Sequence, residues 1–162
     1  MKKKWERKFK QKGVAAIEFA LIFPVLFLML YGLLSYSLIF AMQHSLSLAA
    51  AEGGRAAVRF VSKSDDISVR VNAACRAAQN ALSWMASIGI PSQCTGNANS
   101  AVSISILEKP CPSTASSSAV SSVRCIDISA IYAYSANPLI PKIVPVPSKL
   151  TGHSFTQIAL SF

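Results

Sequence analysis

The chain has 162 residues, 52% of them hydrophobic, with a net charge of +9 and a mean hydropathy of +0.42. That length allows one domain beyond an anchor, and the hydropathy is too high for a soluble domain of this size unless one long block supplies the excess. Residues 1–12 hold seven basic side chains against one acid, and the other 150 residues hold nine against six. The basicity is therefore a leader property. Beside an apolar run it fixes topology rather than describing a nucleic-acid surface.

Residues 1–13 read as a basic leader, with Trp5 and Phe9 interspersed, held on the cytoplasmic side by the positive-inside rule. Residues 14–42 read as a transmembrane helix whose single charge is Glu18. At 1.5 Å per residue this run is about 43 Å long, against a hydrocarbon core of about 30 Å. It is about twice the apolar length of a secretory signal, so it should stay as an anchor. Pro24 removes a backbone hydrogen bond and predicts a kink, which membrane helices tolerate. Gly32, Ser35 and Ser37 offer small patches where another helix can approach. His44 falls at the expected outer interface.

Residues 43–162 read as an α+β domain across the membrane. Residues 43–60 are alanine-rich and continue the helix, with a bend expected at Gly53-Gly54 because each glycine costs about 1 kcal/mol relative to alanine. Ser64-Asp65-Asp66 looks like a helix start. Ile67, Val71, Ala74, Ala78, Leu82 and Met85 then form an apolar stripe at helical spacing, ended by Gly89 and Pro91. Strands are expected at 101–107 and 121–134, the second with Ile126, Ile128, Ala130, Tyr132 and Tyr134 on one face. Residues 109–118 form a loop. Four prolines between 138 and 147 make an extended connector. A last strand is expected at 155–162. The fold class that results is α+β: an N-terminal transmembrane helix extended into an outer helical region, followed by a small antiparallel sheet.

All four cysteines, Cys75, Cys94, Cys111 and Cys125, lie beyond the apolar run. On an oxidising side they predict two disulfides, with three connectivities open. Their separations lack the short paired spacing of zinc sites, so no metal is expected.

A basic leader, Gly13, five residues to Glu18-Phe19 and an apolar helix resemble the class III signal of type IV pilin-like proteins. Glu-Phe followed by Ala20-Leu21 and Pro24, with Gly54-Arg55-Ala56-Ala57 further on, resembles the TadE-like pseudopilins of the tight-adherence (Flp) pilus system. The resemblance implies cleavage between Gly13 and Val14 by a prepilin peptidase, leaving Glu18 as the fifth mature residue and the one used, with Phe19 beside it, for assembly. It implies a bacterial inner-membrane protein with a periplasmic domain. Its implied partners are other pilins or pseudopilins and the inner-membrane assembly platform, and its implied role is a minor structural one in pilus biogenesis. A buried carboxylate costs about 2.5–3.5 kcal/mol at mid-membrane, less near a helix end. The new amine on Val14 offsets that cost by pairing with Glu18 of its own chain or of a neighbour.

An enzyme is not expected, nor a cofactor. His44 and His153 are the only histidines, and no HExxH, GxSxG or phosphate-binding glycine loop occurs. The competing reading is an unprocessed, signal-anchored periplasmic binding module. Gly13 discriminates the two.

Overall fold

The computed structural model describes residues 10–59, 67–90, 92–94, 100–109, 111, 123–141, 143 and 145–159. Their elements, in chain order, are α1 (Lys10–Arg59), α2 (Ile67–Ala81), α3 (Ser83–Ser87), β1 (Ser92–Gln93), β2 (Val102–Lys109), β3 (Val123–Tyr132) and β4 (Leu150–Ala159). The chain divides into two units, Met1–Ile39 and Phe40–Phe162.

In the first unit α1 is helical from Lys10 through Pro24. Its large apolar side chains are exposed: Val14, Ile17, Phe19, Leu21, Ile22 and most that follow as far as Leu38. A helix apolar all round and uncovered by its own chain is what a lipid environment stabilises. The helix Gly13–Arg59 is long and apolar enough to cross a membrane, with a mean hydropathy of 2.4 over its best window.

In the second unit α1 acquires a one-sided character. Met42, Leu46, Ala49, Ala50, Gly53 and Ala57 are buried, at spacings of 4, 3, 1, 3 and 4, which is one face of a helix. Residues 101–107 and 121–134 were expected as strands from their alternation, and β2 and β3 realise them with slightly shifted ends. Val102, Ile104, Ile126, Ile128, Ala130 and Tyr132 fill the inner side of the sheet, all fully buried. Burying a side chain such as Leu46 or Ile128 contributes about 1.5–3 kcal/mol. The Tyr132 hydroxyl donates to the Asn137 carbonyl at 2.5 Å, and burial pushes its phenol above the ordinary 10.0.

The sheet order is β1-β2-β3-β4. β2, β3 and β4 pair antiparallel, as expected. The two-residue β1 adds a parallel strand on β2, so the sheet is mixed. β4 starts at Leu150, earlier than the expected 155, because Leu150 pairs with Tyr132 and the ladder then runs unbroken to Ala159 opposite Val123. Residues 160–162 of the expected strand lie outside the described residues.

The expected bend at Gly53-Gly54 does not break α1, which continues to Arg59. The glycines serve close approach instead. A Cβ on Gly53 would meet the Ala74 carbonyl oxygen at 3.2 Å and Ile128 Cδ1 at 3.3 Å. One on Gly54 would meet Thr156 Oγ1 at 2.7 Å. The packing gained on that side offsets a propensity cost of about 1 kcal/mol per glycine.

The stripe expected over 67–85 is divided. α2 ends at Ala81, Leu82 makes a turn, and α3 follows. Ala74, Ala78, Leu82 and Met85 are fully buried, while Ile67 and Val71 are half-buried. Gly89 takes φ +83°, a conformation that favours glycine. The expected cap at Ser64-Asp65-Asp66, Pro91, and all of the 109–118 loop except Lys109 and Cys111 lie outside the described residues. The 138–147 connector has neither helix nor strand among its described residues.

Of the three connectivities, the structure has Cys75–Cys94 and Cys111–Cys125, with Cα–Cα distances of 5.8 and 5.1 Å. The first ties α2 to the segment just after β1, and the second ties the segment after β2 to β3.

Candidate processing and assembly segment

Gly13 and Val14 lie in the second turn of α1, both exposed, and a Cβ on Gly13 would meet nothing within 4 Å. Glycine at that point is a helix-weakening choice of about 1 kcal/mol with no packing to offset it. Opening of the helix start at Gly13 is correspondingly cheap. Glu18 is exposed four residues beyond Val14, so the two share a helix face. In a chain beginning at Val14, its α-amine and the Glu18 carboxylate would be i,i+4 neighbours. Both are equally open to a parallel neighbour.

Phe19 begins a feature that the sequence reading did not single out. Phe19, Phe23, Phe27 and Tyr31 recur every four residues, and their ring centroids lie 5.4, 6.1 and 6.4 Å apart in succession. The spacing itself was the available signal, hidden because nearly every residue around it is also apolar. The ladder forms an i±4 ridge of the kind that packs into the groove of another helix. Pro24 lies beside it inside α1. With no N–H it leaves the Ala20 carbonyl without its helical donor. The Ser35 hydroxyl donates to the Tyr31 carbonyl at 2.7 Å and that of Ser37 to the Leu34 carbonyl at 2.8 Å. Both serines thereby satisfy themselves within the helix, as a lipid environment requires, and keep their small profile. Gly32 has open space around its α-carbon. His44 stacks on Phe40 with ring planes 5° apart.

The second unit holds two further polar features. Arg70 is buried in α2 and its Nη1 donates to the Ala57 carbonyl at 3.2 Å. That carbonyl is among the last four of α1, which have no helical partner, and a cation there complements the helix dipole. The sequence reading passed over Arg70 because it lies one residue before Val71 on an otherwise apolar stripe.

On the outer side of the sheet, Lys109 Nζ lies 2.7 Å from Asp127 Oδ2, and His153 Nε2 lies 2.5 Å from Oδ1. The hydrogen bond from Lys109 and the neighbouring imidazole outweigh the desolvation of the carboxyl, and hold Asp127 below its ordinary 3.8. Ser105 and Ser129 share a 2.6 Å hydrogen bond on the same side. Lys109, Asp127 and His153 come from three neighbouring strands, so the cluster reads as a cross-strand network. Among the described residues no group of three or more His, Cys, Asp or Glu side chains is placed to hold a metal.

Comparison with known proteins adds one match: the family model described as TadE-like protein covers residues 13–55. No curated protein and no solved structure matches the chain. The matched stretch begins at Gly13, includes Glu18, Phe19 and Pro24, and ends just past Gly53-Gly54. Residues 13–55, from the exposed apolar helix into the glycine-containing segment packed on the sheet, are thus similar to the TadE-like family.

Proposed function

We propose that the protein is a minor pseudopilin of the tight-adherence (Flp) pilus system, a structural component that acts through its N-terminal helix. The observation that carries this reading is the coincidence of the TadE-like match with a lipid-facing helix bearing one acid, Glu18, near its start. In this reading the chain is a single-pass protein of the bacterial inner membrane, with residues 1–13 cytoplasmic and residues 43–162 periplasmic. A prepilin peptidase removes the leader between Gly13 and Val14. The mature amine of one chain then pairs with the Glu18 carboxylate of a neighbouring pilin or pseudopilin at matching depth.

Physical chemistry supports that pairing. An uncompensated carboxylate inside the apolar boundary is unfavourable by up to about 3 kcal/mol. A cation at the same depth removes most of that cost, and does so only in the correct axial register. The aromatic ridge from Phe19 to Tyr31 supplies apolar contact along the same helix.

Co-expression with a prepilin peptidase tests the processing step. Wild-type protein should lose the mass of its first 13 residues, and a Gly13→Leu variant should stay full length. Full-length wild type under those conditions would instead support the unprocessed, signal-anchored binding module. Glu18→Ala tests the assembly step: it should insert in the membrane as well as wild type yet fail to restore pili to a deletion strain.

A further inference from the structure

Among the described residues, β4 lies at the end of the sheet and pairs only with β3. The direction of its backbone groups follows from the ladder. Ala133 donates to the Ala101 carbonyl, one step beyond the Val102–Tyr132 pair. Odd-numbered residues of β3 therefore turn their N–H and C=O toward β2, and even-numbered ones toward β4. Even residues of β3 face even residues of β4. Thr151, His153, Phe155 and Gln157 consequently turn their backbone groups away from the sheet. The Thr151 carbonyl agrees, since it accepts from Gln43 Nε2 at 2.8 Å rather than serving the ladder alone. Among the described residues no backbone group bonds to the rest of this edge.

Natural edge strands are protected by proline, lysine, inward charges, bulges or short length. β4 has none of these. It is ten residues long, its register is unbroken, and LTGHSFTQIA contains no proline, lysine, arginine or acid. The opposite edge differs: β1 is two residues long, with the Cys75–Cys94 disulfide beside it.

A groove of about 410 Å³ runs along this bare edge. Ser154 and Thr156, alternate residues on the inner side of β4, form one wall, and Ala51, Arg55, Val58 and Arg59 of α1 form the other. A strand added to β4 would place its alternate side chains in that groove. The groove presents Ala51 and Val58 on its α1 wall to an apolar side chain. Its α1 wall offers two guanidinium groups, one of which, Arg55, is already paired with Glu52 at 2.7 Å. The local charge is net positive.

We propose that β4 takes up an extended segment of a partner protein as an additional strand, a segment that alternates in polarity and carries a carboxylate among its groove-facing side chains. Main-chain hydrogen bonds to His153, Phe155 and Gln157 supply affinity, and the groove supplies preference, as in other strand additions. The inference does not depend on the pilus reading.

The test uses the full chain in detergent micelles and a fluorescein-labelled peptide of about nine residues, alternating threonine with valine and glutamate in turn. Fluorescence anisotropy should show saturable binding, and a version with lysine for glutamate should not bind. Gln157→Pro removes one outward N–H without touching the β3 ladder, since proline is tolerated on an edge in that orientation. It should weaken binding about tenfold or more. Arg59→Glu, an exposed change on α1 that does not depend on strand geometry, should do the same, with circular dichroism confirming that both variants fold. Absent binding, equal binding of the lysine peptide, or binding unchanged in both variants would overturn the proposal. So would a concentration-dependent dimer abolished by Gln157→Pro, since the occupant would then be a second copy.

Discussion

Gly152 shows how much one missing side chain decides here. A Cβ at that position would lie 2.2 Å from the Leu46 carbonyl oxygen, a backbone atom that cannot rotate away. Gly152→Ala should therefore destabilise the C-terminal domain by about 3 kcal/mol, at the upper end for overpacking, measurable as a shift in the urea midpoint in micelles. Gly13→Ala, with open space around it, should leave that midpoint unchanged. Asp127 makes a second prediction at this scale. Its carboxyl is held below the ordinary value, so the folded state binds protons less readily than the unfolded state. The sign follows: Asp127 contributes stability above the ordinary 3.8, and the contribution is lost as pH falls through and below that value. Asp127→Asn should be less stable than wild type at pH 7, and the gap should narrow at a second pH below 3.8. Paired urea titrations at the two pH values check it, and a gap of constant size would sink the assignment.

Helices and strands are joined here by a few polar and covalent ties. Arg70 joins the end of α1 to α2 through the Ala57 carbonyl. Arg70→Ala removes the donor to a carbonyl that the helix itself cannot satisfy and leaves a void, so it should cost about 1–3 kcal/mol. Arg70→Lys should recover part of that. The two disulfides close segments of 19 and 14 residues in sequence separation. Each should contribute about 2–4 kcal/mol. Non-reducing peptide mapping should recover the pairs Cys75–Cys94 and Cys111–Cys125, and any crossed pair would contradict the fold. The Cys75→Ser/Cys94→Ser variant should show a lower urea midpoint by an amount in that range.

For the molecule as a whole, one helix serves two environments. Up to Leu38 its large apolar side chains are mostly exposed, and from Met42 onward its buried residues pack toward the sheet. The change is visible in composition: Phe, Leu and Ile dominate residues 14–40, and Ala, Ser and Gly dominate residues 45–57. Small residues are what a helix needs to lie close against strands. The C-terminal domain should consequently fold around residues 40–59 of the helix. A fragment of residues 40–162, exported to an oxidising compartment, should give a cooperative unfolding transition, whereas one of residues 60–162 should not. Loss of cooperativity in the longer fragment would show that the N-terminal apolar segment is needed for the C-terminal fold.

Much of this was legible from local pattern. The apolar run and its single acid, the divided basicity, the helical stripe through Ala74 and Ala78, and the alternation of β2 and β3 each depend on side chains a few residues apart. Hydrophobic periodicity reports those relations directly. Tertiary structure alone decided the rest. The cysteine partners, the continuity of α1 through Gly53-Gly54, the early start of β4 and the bare edge beside Arg55 and Arg59 all depend on residues far apart in the chain. Gln43 meets Thr151 and Leu46 meets Gly152 across more than one hundred positions. A local pattern states what a residue prefers to be next to. Which distant backbone comes to lie there is settled only when the whole domain buries its apolar faces together.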